Sequence, residues 1–233
     1  MLIISHRGAA GLAPENTMAA LKAGYKAGAD ILEFDVRLTK DNIPVVVHDA
    51  WLLRTHGDYM PIHTLTYKEL REHTKQNPVP SLETVLDKYF GLILLNIELK
   101  SRGASAVVLG LLKKKYIQKA SDWDKVIISS FKGMELVALR RMSKRVNLCL
   151  LHRDNPFLFI AFQRFVRLTA VGFHRLYLNR FALAIAKRSG LFIYAYTVNR
   201  TAALVNLAEH GVEGIVTNYP DKFRAALDMQ SKD

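Results

Sequence analysis

The sequence predicts a closed (β/α)₈ barrel, a TIM barrel with a small insertion after its second strand. Three observations lead there. Short apolar strands alternate with helical stretches along the chain, the pattern of βαβ units around a parallel sheet. About eight such units fit within 233 residues, which favours closure over an open sheet. Two of the strands carry polar residues at alternate positions within apolar runs, a pattern that a sheet buried on both faces accommodates at a barrel mouth. A six-stranded doubly wound sheet is the alternative architecture.

Taken in order, Leu2–Ser5 reads as the first strand, and Thr17–Ala27 as a helix capped by Asn16 or Thr17. Ile31–Arg37 is the second strand. Pro44–His48 is again apolar and β-like, but it follows too soon for a parallel crossover, which needs about a dozen residues or more. Lys40-Asp41-Asn42 reads as a turn, so this run folds back on the second strand. The irregular stretch Ala50–Pro80 follows, and 44–80 is read as an insertion overhanging the barrel mouth, without a hydrophobic core large enough for a separate domain. Residues 1–233 are therefore expected to form one domain.

A helix begins near Ser81. Leu92–Leu99 is the third strand, followed by a helix over Ala104–Lys119. Val126–Ser130 is the fourth, followed by a helix over Met134–Met142. Val146–Leu151 is the fifth, and Asn155-Pro156 opens the next helix as N-cap and first helical residue. Ala170–His174, Phe192–Val198 and Gly214–Thr217 complete the set, with helices between.

Half of the residues are hydrophobic, which is enough for a large core. The lone Cys149 excludes an intrachain disulfide and a cysteine-built zinc site, and it sits in an apolar run as a buried thiol. A chemistry independent of an oxidising compartment makes the cytoplasm the expected location. Met1–Ile4 is too short for the apolar region of a secretory leader, so none is expected. Charge-free stretches such as Gly103–Leu112 fall well short of the ~20 residues a membrane span needs.

The net charge of +12 suits an anionic ligand or surface. Nucleic acid is not the expected partner. The basic residues are spread over many helices, and no helix-turn-helix, zinc-finger or RNA-recognition pattern appears.

The chemistry-bearing residues lie at strand ends. Glu33, Asp35 and Arg37 share one face of their strand, and Asn96, Glu98 and Lys100 share one face of theirs. Unpaired carboxylates inside a barrel would be very costly unless a cation neutralises them. All-oxygen donors with no nearby cysteine point to a hard divalent ion, magnesium or calcium, rather than zinc. His6-Arg7-Gly8 ends the first strand, and His48-Asp49 ends the returning run, which brings it back alongside Glu33 and Asp35. Two histidines near a metal make an acid–base pair for phosphoryl transfer. Arg7 can grip a phosphate oxygen bidentately, and Lys100 can neutralise phosphate charge. Glu15 is placed as a brace for the catalytic loop, and Asn16 and Thr17 as simple caps. His56, His63, His73, His152, His174 and His210 are read as structural.

The ordered set His6-Arg7-Gly8, Pro14-Glu15-Asn16-Thr17, Glu33-Phe34-Asp35-Val36, Thr39-Lys40-Asp41, His48-Asp49 and Glu98-Leu99-Lys100 closely resembles the glycerophosphodiester phosphodiesterase family. Later landmarks agree: Ser129-Ser130-Phe131, Tyr196-Thr197-Val198-Asn199 and Gly214-Ile215-Val216-Thr217-Asn218-Tyr219-Pro220. The resemblance implies a barrel with an insertion after strand two. It implies Glu33, Asp35 and Glu98 as ligands of magnesium or calcium, His6 and His48 as acid and base, and Arg7 and Lys100 on the phosphate. The implied reaction is hydrolysis of a glycerophosphodiester to glycerol 3-phosphate and an alcohol, either through a cyclic phosphate or by direct attack of water.

Two positions depart from the family pattern. Tyr196 stands where tryptophan is frequent and bears on the pocket wall. Asn218 stands where aspartate is common and is expected to be structural. The alternative activity is a lysophospholipase D acting on lysophospholipids at a membrane. It draws on the phenylalanine-rich stretch Asn155–Leu168 with Gln163, Arg164 and Arg167 in one sector, followed by Arg175, Arg180, Lys187 and Arg188. An ordinary barrel helix, a peripheral membrane contact and a homodimer interface all accommodate that stretch.

Overall fold

In the computed structural model, which describes residues 1–230, eight parallel strands close into a barrel. They are β1 (Leu2–Ser5), β2 (Ile31–Leu38), β4 (Leu94–Leu99), β5 (Val126–Ser130), β6 (Asn147–His152), β7 (Ala170–His174), β8 (Phe192–Tyr196) and β9 (Gly214–Thr217). Each strand pairs with the next, and β1 closes the ring by pairing with both β9 and β2. The short β3 (Pro44–Val46) lies antiparallel on β2, with Val36 opposite Val46 and Leu38 opposite Pro44. Closure excludes the doubly wound alternative.

Side-chain alternation decides what each strand faces. Ile3, Leu32, Phe34, Val36, Leu95 and Ile97 point outward into the layer packed under the helices. Ile4, Ile31, Cys149, Leu151, Ala170, Tyr194 and Val216 fill the barrel interior. One step up the same inward rows stand Glu33, Asp35 and Glu98, where β2 passes the C-terminal end of β1 and β4 ends, on the side where a barrel opens.

The helices around the ring are α1 (Met18–Lys26), α4 (Leu82–Tyr89), α5 (Ala104–Leu111), α6 (Gly133–Met142), α7 (Leu158–Val166), α8 (Arg180–Arg188), α9 (Leu204–Glu209) and α10 (Pro220–Gln230). Caps fix several starts: Thr17 Oγ1 accepts from the Ala20 amide, Ser81 Oγ from Thr84, and Asn179 Oδ1 from Phe181 and Ala182. Two expected spans shift. Asn155 does not cap α7; its side chain closes a turn on the Phe157 amide, and the helix starts at Leu158. The helix after β4 stops as α-helix at Leu111 and continues as a π-type turn, Leu112–Tyr116. That turn keeps Leu112 buried while Tyr116 Oη reaches Asp87 at 2.6 Å.

The segment after β3 is more ordered than its composition indicated. It contains α2 (Leu53–His56) and α3 (Tyr67–His73), the latter opened by a capping box between Thr66 and Glu69. Val45, Val47, Leu52, Ile62, Leu65, Leu70 and Val79 form a satellite cluster beneath it. The fold-back pivots where expected: the Thr39 amide donates to Ile43 O, and Asn42 takes φ +58°.

Gly24 shows how closely α1 lies on the barrel mouth. A Cβ there would meet the Gly8 carbonyl oxygen at 2.1 Å and Ser5 Oγ at 2.4 Å. Alanine would improve helix propensity by about 1 kcal/mol, but overpacking against backbone costs about 1–3 kcal/mol. Gly24→Ala is therefore expected to lower stability, read as a lower urea midpoint with an unchanged m-value.

Candidate active site

Glu33, Asp35 and Glu98 are all buried and each places a carboxylate oxygen within 4.8 Å of the others. Three negative charges so close would not stay together unaided, and the surroundings divide them. Burial opposes the charge on Asp35, but Lys100 Nζ at 3.2 Å and Arg7 Nε at 3.4 Å bring its carboxyl down to about 2. Burial and the neighbouring Asp35 raise Glu98 to about 7, although Lys100 pairs with it. Burial, with Asp35 and Glu98 alongside, lifts Glu33 well above the usual carboxylate range. Glu33 Oε2 accepts from the Arg7 amide at 2.8 Å, while its buried Oε1 has no hydrogen-bond partner. A buried orphan acceptor in an all-oxygen cluster fits a divalent cation, which these three residues could hold.

Asn16 is the residue that sequence reasoning misplaced here. Thr17 alone caps α1; Asn16 is buried, takes φ +58°, and clamps Asp35 at both ends. Its Nδ2 donates to Asp35 Oδ2 at 2.9 Å, and its Oδ1 accepts from the Asp35 amide at 3.1 Å. An asparagine before a good N-cap gives no signal of this in sequence.

His6 and His48 open onto the same cleft and are held differently. His6 Nδ1 lies 2.6 Å from Asn218 Oδ1. With an amide oxygen as partner, Nδ1 carries the proton and Nε2 is the basic atom. Burial and the adjacent Arg7 lower His6 to about 4. Asn218, expected to be structural, is thus in direct contact with the site. His48 Nδ1 lies 2.6 Å from the Asp49 carboxylate, and burial lowers its pKa while Asp35 and Asp49 oppose that shift. Its position is set by the fold-back: the Val47 amide donates to Asp35 O, and Arg37 Nε donates to the His48 carbonyl at 2.7 Å.

A run of ion pairs connects the two sides. Asp49 Oδ2 accepts from Arg54 Nε at 2.5 Å, Arg54 also grips Glu15, and Glu15 Oε1 accepts from Arg7 at 2.8 Å. Glu15 therefore braces Arg7. Arg54 was not singled out in the sequence, because nothing in an isolated Leu-Leu-Arg-Thr run marks it.

The cleft has a volume of about 600 Å³. His6, Arg7, His48, Glu98 and Lys100 line it together with Phe131, Tyr196 and His174. Tyr196 forms the wall its position implied: its hydroxyl donates to His152 O at 2.6 Å, and its ring meets Phe131 and His174 edge-on. His174, read as structural, is a lining residue instead. His152 keeps its structural reading, buried between Phe159 and Phe173.

The chain matches the model of the glycerophosphoryl diester phosphodiesterase family over residues 6–222. Glycerophosphodiester phosphodiesterases of Caldanaerobacter subterraneus and Bacillus subtilis are each 31% identical to it, over 238 and 249 residues; the alignments cover 94% and 96% of this chain and 95% and 85% of theirs. Among solved structures, a phosphodiesterase of Oleispira antarctica in complex with the product sn-glycerol-3-phosphate superposes with a TM-score of 0.86 at 26% identity, covering 98% of this chain and 97% of that one. The Thermotoga maritima glycerophosphodiester phosphodiesterase superposes with a TM-score of 0.84 at 25% identity, covering 97% of each.

Fold and site together define a phosphoric diester hydrolase on a (β/α)₈ barrel. The chain belongs to the glycerophosphoryl diester phosphodiesterase family. The relatives do not favour the lysophospholipase D alternative.

The raised carboxyls give a stability test. Glu33 and Glu98 hold protons in the folded, metal-free chain above 4.5, where their unfolded counterparts lose them. The contribution of both groups is therefore complete below 4.5; that of Glu98 is lost as pH rises through about 7, and that of Glu33 as pH rises through its own raised value. Melting of the metal-free protein from pH 5 to pH 8 should show this decline, and a saturating divalent cation should flatten it. Glu98→Gln should remove part of the slope without metal.

Proposed function

We propose that the protein hydrolyses glycerophosphodiesters to glycerol 3-phosphate and an alcohol by His/His acid–base catalysis, the whole chain acting as one barrel unit. The observation that carries this is the pairing of the two histidines: both line one cleft with Arg7 and Lys100, and each Nδ1 is tied to a different kind of partner. Neutral Asn218 leaves His6 Nε2 suited to take a proton from the attacking hydroxyl. The Asp49 carboxylate opposes the lowering of the His48 pKa by burial, which suits that residue to protonate the leaving alcohol. Arg7 and Lys100 bind the phosphate oxygens. Glu15 and Arg54 keep Arg7 and Asp49 in place. A divalent cation held by Glu33, Asp35 and Glu98, magnesium or calcium given the oxygen-only donors, would supply Lewis-acid stabilisation of charge on the phosphate.

Glycerol 3-phosphate release from glycerophosphocholine and glycerophosphoethanolamine, followed by a coupled dehydrogenase, tests the reading. Activity should appear with magnesium or calcium and vanish in EDTA. His6→Ala and His48→Ala should each lower kcat by about 10²–10⁴-fold. Near-normal turnover in His6→Ala would remove it from the mechanism.

A second feature bears on where the substrate is met. Among the described residues no helix is long and apolar enough to cross a membrane. Beside the cleft, however, Leu176 is 68% exposed, and the equally exposed Phe181 packs on Phe157 at 6.2 Å. Arg153, Arg175 and Arg180 accompany them, against Asp154 as the acid of that rim. Exposed aromatic side chains among cations favour peripheral contact with an anionic bilayer. The protein should co-sediment with vesicles containing phosphatidylglycerol and not with phosphatidylcholine alone; no binding at low salt, or a dimer that buries this face, would exclude the contact.

A further inference from the structure

A second concavity, about 420 Å³, opens beside the catalytic cleft at the same end of the barrel. Its wall comes from the ends of β2, β4 and β5 and from the segment above them, which contributes Ala50, Ile62 and His63. Five cations line it: Arg37, Lys40, Lys100, Arg102 and Lys132. No carboxylate does. Lys100 lines both concavities, so the two adjoin through one ammonium group.

Lys100 is neutralised by Asp35 and Glu98. Among the described residues, the other four make no salt bridge. Arg37 commits Nε to the His48 carbonyl and its charge is attracted by Asp35, Asp49 and Glu98, while among the described residues the outer edge of its guanidinium makes no hydrogen bond. The nearby acids are held mainly by other groups, although Glu69 also attracts Lys40. Asp41 accepts from Thr39 Oγ1 and the Tyr67 amide. Glu69 is taken up by the Thr66 amide and hydroxyl. Glu135, three residues beyond Lys132, caps the amides of Gly103 and Ser105. The floor is fixed, since Ser101 Oγ accepts from the Leu38 amide and so ties β2 to β4.

Like charges converging on one hollow repel one another, and an anion placed among them relieves that repulsion. We propose that this concavity is a second anion subsite, taking a further phosphate group on the alcohol arm of the substrate. The inference rests on the glycerophosphodiester reading. The glycerol arm of that substrate class carries no second charge, so an additional phosphate belongs to the alcohol. The preferred substrates are then glycerophosphodiesters whose alcohol is itself phosphorylated or phosphodiester-linked.

Bis(glycerophospho)glycerol and glycerophosphoglycerol form the test pair, differing by one phosphate and its terminal glycerol. At low salt the protein should turn over the former with a kcat/KM about tenfold higher, mainly through KM, and the advantage should shrink as ionic strength rises. The variant Lys40→Gln/Arg102→Gln/Lys132→Gln should erase the advantage while leaving glycerophosphoglycerol turnover and the melting temperature unchanged. Equal turnover of the pair by the unaltered protein, or equal losses on both in the variant, would overturn the subsite.

Calorimetric titration of metal-free protein with bis(glycerophospho)glycerol separates this from the reaction itself. If neither compound is cleaved, the catalytic reading fails. The subsite then stands on binding that the triple variant weakens about tenfold or more, and falls if the variant binds equally well.

Discussion

Three carboxylates buried at the rim of a hydrophobic barrel are the constraint on which the rest of the structure depends. Glu33 and Asp35 are placed side by side by the period of β2, and Glu98 stands opposite Asp35 in register on β4. Such a cluster is unfavourable without compensation, and the fold supplies it unequally. Asp35 receives Asn16, Lys100 and Arg7 and stays ionised. Glu33 and Glu98 are left with raised affinities for protons, and hence with capacity for a stronger cation. A uniform neutralisation by basic residues would have filled the same space and left nothing for an ion to do.

The second organising element is the ionic run from His48 through Asp49, Arg54 and Glu15 to Arg7. Its members come from the loop after β1 and from the segment that follows β3. It ties a small, separately packed cluster to the main barrel and crosses the mouth of the cleft. Partly exposed pairs of this kind are individually weak. Linked in series they hold Arg7 and His48 on one cleft, and that geometric role outweighs any contribution to stability.

Much of this was legible in the sequence because alternation is a strong signal. Glu33, Asp35, Glu98 and Lys100 stood out as polar steps in apolar strands, and the short spacing before Pro44 forced the fold-back that delivers His48. Residues whose task depends on a distant partner were not legible. Asn16 meets Asp35 across 19 positions and Asn218 meets His6 across 212, and both look like ordinary loop residues. His174 and Arg54 are similar cases: only the closed ring places His174 at the cleft, and only the folded segment after β3 brings Arg54 to Asp49 and Glu15. Local structure was misread where a side chain chose a turn over a cap, as at Asn155, or where a helix widened to keep Leu112 inside and Tyr116 within reach of Asp87.

The antiparallel return of β3 carries one more consequence. The carboxylate cluster is complete once β2 and β4 lie in register, whereas His48 arrives only when the hairpin has closed and its satellite cluster has condensed. The carboxylate cluster and the placement of His48 therefore rest on different parts of the fold. On the proposed reading, a molecule frayed at residues 44–80 would keep its carboxylate cluster and lose the proton carrier at His48.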